Sequence, residues 1–91
     1  MAIEGVMSIT STQVEQPFTV EAIGFPPGSV FITVETQNIR YWFGGREPTP
    51  TEGHIMYTGA PYGFTFRQDV ENLKMIAASG TAKISYTIKG R

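Results

Sequence analysis

Cysteine is absent from the 91 residues, which excludes disulfides, thiolate metal sites and the class of small secreted modules stapled by disulfides. The single histidine, His54, cannot make a two-histidine metal site. Charge is scarce as well: Lys and Arg number 7, Asp and Glu 8, for a net of −1. The basic residues stand singly, so the cationic footprint that DNA or RNA requires is missing, and no nucleic-acid partner is expected. No apolar run approaches the roughly 20 residues of a membrane span. Met1-Ala2-Ile3-Glu4-Gly5 also lacks the charged start and apolar stretch of a signal peptide. The expectation is a protein made in the cytoplasm, with no membrane partner. Linkers, internal repeats and low-complexity stretches are lacking too, so residues 1–91 read as one domain.

Catalytic constellations are equally scarce. His54 stands in Thr51-Glu52-Gly53-His54, ahead of an apolar segment, and reads as structural. No serine sits in a nucleophile elbow; Ser29 merely follows the Pro26-Pro27-Gly28 turn. Gly44-Gly45 lies between two β-type segments and not between a strand and a helix, which suits a tight turn better than a phosphate cradle. Glu47 and Glu52 flank Pro48-Thr49-Pro50-Thr51 and read as a solvated loop. No catalytic residue, metal site or cofactor is expected, and the chain does not read as an enzyme.

What the chain has is period-two alternation, the primary signal of β structure. In Thr81 to Lys89, Ala82, Ile84, Tyr86 and Ile88 would face inward while Lys83, Ser85, Thr87 and Lys89 face water. That outer face reads as too polar for a buried central strand. Val30, Ile32 and Val34 share one face and Ile39, Tyr41 and Phe43 another, with Thr36-Gln37-Asn38 between them, so these two segments are expected to form a hairpin. Phe18, Val20 and Ala22 mark a strand ending at Gly24-Phe25-Pro26-Pro27-Gly28. Further short strands are expected near Val6 to Thr10, Ile55 to Thr58, Gly63 to Arg67 and Lys74 to Ala78. Only Gln68 to Leu73 reads as helical, a single turn with Asp69 as N-cap. The fold expected is all-β, a compact antiparallel β-sandwich of jelly-roll type with about eight short strands. Residues 1–6 would be an extended N-terminal arm, able to add to a neighbouring sheet edge.

Glu4, Glu15, Glu21 and Glu35 precede Arg40, whereas every Lys and Arg lies from Arg40 onward. Two charged faces could register copies of the protein, but strands interleaved in a sandwich would average the asymmetry away. The large rings are the other surplus. Phe25, Tyr57, Tyr62, Phe64 and Phe66 are hard to bury in so short a sandwich, and apolar surface left over marks an association site. Trp42 and Arg40 alternate out of phase with Ile39, Tyr41 and Phe43. Trp42 is thus open to two readings, an interface anchor or a member of a second small core, with a sugar-stacking platform behind both. Ile3, Val6, Met7, Arg40, Trp42, Arg46, Tyr62 and Phe64 are the expected contact residues.

The order Phe31-Ile32-Thr33-Val34-Glu35-Thr36, Ile39-Arg40-Tyr41-Trp42-Phe43-Gly44-Gly45, Pro48-Thr49, Gly53-His54 and Gly59 resembles small structural proteins of tailed bacteriophages. Ile76-Ala77-Ala78-Ser79-Gly80-Thr81-Ala82 followed by Lys83-Ile84-Ser85-Tyr86 is similar to their closing strand, so the resemblance runs from Val30 to the C-terminus. Gly44-Gly45 stands where those proteins commonly carry Asp-Gly. The resemblance implies a virion component: a decoration or cement protein on the head surface, bound to the major capsid protein and to copies of itself. The local three-fold positions of an icosahedral shell would make it a homotrimer. A head-to-tail or tail-accessory protein is the alternative within the same resemblance. Tyr41 to Thr49 also resembles a hairpin of the β modules attached to carbohydrate-active enzymes, without that hairpin's Asp-Gly-Ser centre, and this would imply glycan binding.

Overall fold

The structure, a computed structural model, describes residues 2–90. Seven strands and two short helices follow one another as β1 (Ala2–Thr10), α1 (Val20–Ile23), β2 (Pro27–Val34), β3 (Ile39–Trp42), β4 (His54–Met56), β5 (Pro61–Phe64), α2 (Arg67–Asn72), β6 (Lys74–Ala77) and β7 (Thr81–Gly90). They form two antiparallel sheets, ordered β1-β7-β2-β5 and β4-β3-β6. The all-β expectation holds.

Alternation places the core between the sheets. Ile9 from β1, Val30, Ile32 and Val34 from β2 and Ala82, Ile84 and Ile88 from β7 point inward and are buried. From the other sheet they meet Ile39, Met56, Met75 and Ala77, while Phe18, Val70 and Leu73 close the sides. No polar or charged residue is buried among the described residues. Each large apolar side chain hidden this way contributes about 1.5–3 kcal/mol.

Antiparallel pairs nest inside one another along the chain. The first strand lies against the last, Ala2 opposite Lys89 through Thr10 opposite Thr81. Next, Glu15 makes an isolated antiparallel bridge to Met75 in β6, with hydrogen bonds of 2.8 Å in both directions. Inside that pair β2 lies against β5, and innermost β3 lies against β4.

Several expectations are corrected. The segments 30–34 and 39–43 do not form a hairpin; β2 and β3 lie in different sheets, and β3 pairs with β4 and β6. Alternation identified both strands but carries no information about the partner. Thr36-Gln37-Asn38 instead carries the chain from one sheet to the other and is pinned at both ends. Thr36 Oγ1 donates to Thr81 O at 3.2 Å and accepts from Lys83 N–H, while Asn38 Oδ1 accepts from Thr58 N–H. The strand expected at Phe18 to Ala22 is replaced by α1. Thr19 Oγ1 caps the Ala22 N–H at 3.1 Å, and Gly24, at φ 85°, ends the turn in the left-handed conformation.

The helix expected at Gln68 to Leu73 is α2, but Asp69 lies in its first turn; the N-cap position falls on Phe66, which offers no side-chain hydrogen bond. β7 lies inside its sheet, between β1 and β2, yet is not a strand buried on both faces: its polar outer face is open to water, as the alternation implies. From Ala2 onward, the segment expected as an arm is part of β1, paired with β7 along its whole length. Met1 lies outside the described residues. The acidic early part and the basic later part do interleave: β1 and β2 flank β7, and Ser85 donates to Glu35 at 2.6 Å.

Candidate interaction surface

The outer face of the four-stranded sheet is built from the residues in the opposite phase to the core. Val6 stands opposite Ser85, Ser85 opposite Thr33 and Thr33 opposite Pro61; in the next row Glu4, Thr87, Phe31 and Gly63 follow one another. Small Ser and Thr side chains thus floor a shallow groove of about 430 Å3 on β7, walled by Glu4 and Val6 on one side and Phe31 and Thr33 on the other. Val6 is 59% exposed and Phe31 54%, large fractions for apolar side chains on an ordered strand. Phe31 also borders a second depression lined by Gly63, Thr65 and Lys89, so its ring stands as a ridge between two grooves. Sequence reasoning did not single out Phe31 as a contact residue. The signal lay in the outward phase of β2, Ser29, Phe31, Thr33 and Glu35, where one large apolar ring interrupts a polar series.

The expected contact residues divide into three groups. Ile3, Val6 and Met7 lie on β1, with Val6 and Ile3 exposed and Met7 packed against the core. Tyr62 and Phe64 lie on β5 facing the core, half-buried against it, and Tyr62 Oη accepts from the Tyr57 N–H at 2.7 Å. Arg40, Trp42 and Arg46 gather at the end of β3. There the Arg40 guanidinium donates to Gly53 O at 3.0 Å, which ties it to the turn before β4.

Trp42 is half-buried. Arg46 lies over its ring at 5.0 Å and the His54 ring meets it edge-on at 4.9 Å, so the indole is engaged within its own chain. Its Nε1 finds no hydrogen-bond partner among the described residues. His54 in turn meets Tyr41 and Phe43, and these two meet Phe64, with ring centroids of the neighbouring pairs 5.4 to 6.2 Å apart. Burial in this cluster pushes the Tyr41 hydroxyl above its ordinary pKa of 10.0, and the nearby Tyr62 adds in the same direction.

Other exposed rings are Phe66, 72% exposed ahead of α2, and Tyr57 beyond β4. Among the described residues no group of three or more His, Cys, Asp or Glu is placed to hold a metal ion, and no helix is long and apolar enough to cross a membrane. Protein-family models, curated proteins and solved structures were all compared with the chain, and none matches.

Proposed function

We propose that the protein is a structural component of a tailed-phage virion, a decoration or cement protein that binds the assembled head shell and stabilises it by contact alone. The observation that carries this reading is the open face of the four-stranded sheet, where Val6 and Phe31 hold apolar surface out beside small Ser and Thr side chains. Burying these two side chains against a partner would be favourable, which supports an association role for this face. Binding the assembled shell and not its free subunits stabilises the assembly by mass action, with no reaction. The partners are the major capsid protein and further copies of this chain, and the place is the head surface. The sequence resemblance running from Val30 onward supports the same class.

The nested pairing supports a jelly-roll sandwich within this reading. Counting the Glu15 segment as a reduced second strand beside β6 gives four antiparallel pairs, β1 with β7, Glu15 with β6, β2 with β5 and β3 with β4. A long hairpin rolled over itself produces this order, and jelly rolls are widespread in capsid proteins. The glycan-binding alternative finds less support, because Arg46 and His54 already cover the Trp42 ring.

The test is co-sedimentation of the purified protein with undecorated tailed-phage capsids. The protein should pellet with the shells at a fixed ratio, and Phe31→Ser should weaken binding at least tenfold, the loss expected of an aromatic anchor worth about 2 kcal/mol. Protein that stays in the supernatant with every shell would refute the reading.

A further inference from the structure

We propose that two copies of this chain join antiparallel through their β1 edges, with Val6 on the two-fold axis, so that the two four-stranded sheets become one continuous sheet. This is independent of the capsid reading. It replaces the three-fold assembly, which came only from the supposed location, with a two-fold pair.

The free edges of the molecule are not alike. β4 has 3 residues; β5 has 4 and carries Pro61 and Gly63; β6 is covered by the bridge from Glu15. Short length, proline and a covering segment are the usual devices that blunt an edge. β1 has none of them. It runs 9 residues in unbroken register, contains no proline and no lysine, and carries one charge, Glu4.

The ladder fixes which groups of β1 are unpaired. Ser11 N–H donates to Gly80 O, its opposite number by the β1/β7 register, so the odd residues of the strand exchange hydrogen bonds with β7. By the alternation of antiparallel ladders, the N–H and C=O groups of Ala2, Glu4, Val6, Ser8 and Thr10 then point away from the sheet. Their side chains are the exposed ones on the outer face, except the half-exposed Thr10.

An antiparallel pair centred on Val6 uses all of these groups. Val6 meets Val6 of the second copy, Glu4 meets Ser8 and Ala2 meets Thr10, giving about ten new backbone hydrogen bonds at two per pair. Both cores remain on the same side of the joined sheet. The 59% exposed Val6 gains an apolar neighbour, and Ile3, 38% exposed, comes beside Ile9 of the second copy.

Charge selects the same register. Ser8 stands opposite Lys83 on β7, so Glu4 of one copy shares a row with Lys83 of the other, across a single small serine. Two strand spacings amount to about 10 Å between Cα atoms, a span that two long side chains close. Thr87 engages only the Oε2 of Glu4, at 3.2 Å, which leaves Oε1 for the ammonium. A pair centred two residues earlier on Glu4 would set the two carboxylates face to face, which like charges oppose.

Light-scattering mass across a concentration series tests this on the intact protein. The expected mass is that of two chains. Val6→Pro removes one outward N–H without touching the β7 ladder, and should give one chain with an unchanged circular dichroism spectrum. Should that variant fold poorly, the charge set decides. Glu4→Lys and Lys83→Glu should each weaken the association several-fold, and the double exchange should restore it. A mass of one chain at every concentration, a mass of three, or indifference of the dimer to the charge exchanges would each overturn the proposal.

Discussion

The phenol of Tyr86 lies across Gly5, its register partner on the neighbouring strand: a Cβ on Gly5 would stand 2.7 Å from Tyr86 Oη and 2.9 Å from Cζ. Phe18 packs against the same ring, tilted, at 5.4 Å between centroids. Glycine at this point lets an aromatic residue of β7 cover the inner face of β1.

Gly5→Ala should therefore destabilise the protein by about 1–3 kcal/mol, the usual cost of forcing extra volume into a filled site. Urea denaturation measures it. In a Tyr86→Leu background, where the shorter side chain does not reach Gly5, the same change should cost almost nothing, because neighbours in contact are not additive. Equal costs in both backgrounds would show that the contact is not what requires glycine.

Gly53 and Gly24 offer a contrast in what glycine does. Gly53, at φ 130°, would place a Cβ 3.1 Å from Tyr41 O and 3.2 Å from Tyr41 N, atoms of the paired strand that cannot swing aside. Gly24, at φ 85°, would meet nothing within 4 Å. Gly24→Ala should cost about 1–2 kcal/mol, the price of the left-handed backbone alone, and Gly53→Ala distinctly more. Arg40→Ala should also lower the unfolding midpoint, because it removes the guanidinium that holds Gly53 O. If the proposed capsid reading holds, capsid binding per folded molecule should be unchanged in that variant, which separates Arg40 as a brace from Arg40 as a contact residue.

The parts of the fold legible in the sequence are those governed by alternation. The inward phases of β2 and β7 follow directly from Val30, Ile32, Val34, Ala82, Ile84 and Ile88. Partner choice was not legible, since β3 meets β4 and β6 through non-local contacts that no local pattern encodes. The helix α1 was misread because Val20 and Ala22 alternate like strand residues, while the local hydrogen bond of Thr19 and the positive φ of Gly24 decide the conformation. For the surface, Val6 was legible only as part of the apolar segment expected as an arm, and not as an outward residue of a paired strand. Phe31 was hidden inside an apolar-looking run, where only the phase of its neighbours reveals that it points outward.

Trp42 differs from the core aromatics in what its replacement should cost. Its indole Nε1 makes no hydrogen bond to a described residue, so Trp42→Phe gives up none among these residues and keeps a ring beneath Arg46. The expected change in stability is within about 1 kcal/mol, whereas Phe18→Ala, at a fully packed site, should cost about 3–5 kcal/mol. A loss at Trp42→Phe comparable to that at Phe18→Ala would mean that the indole nitrogen holds a partner essential to the fold.

Alkaline pH gives the last prediction. The Tyr41 hydroxyl titrates above 10.0 in the folded protein because burial disfavours the phenolate, with Tyr62 adding to the effect. The folded chain therefore binds this proton more tightly than the unfolded chain, and stability must fall with rising pH wherever the two differ in protons bound. The contribution is fully present below the ordinary tyrosine value and is lost as pH rises through the folded value. Urea midpoints measured from about pH 9 to about pH 11 should decline, and the decline should be shallower in Tyr41→Phe, which has no proton to lose. Parallel declines in the two proteins would assign the alkaline loss to other groups and leave Tyr41 without a part in it.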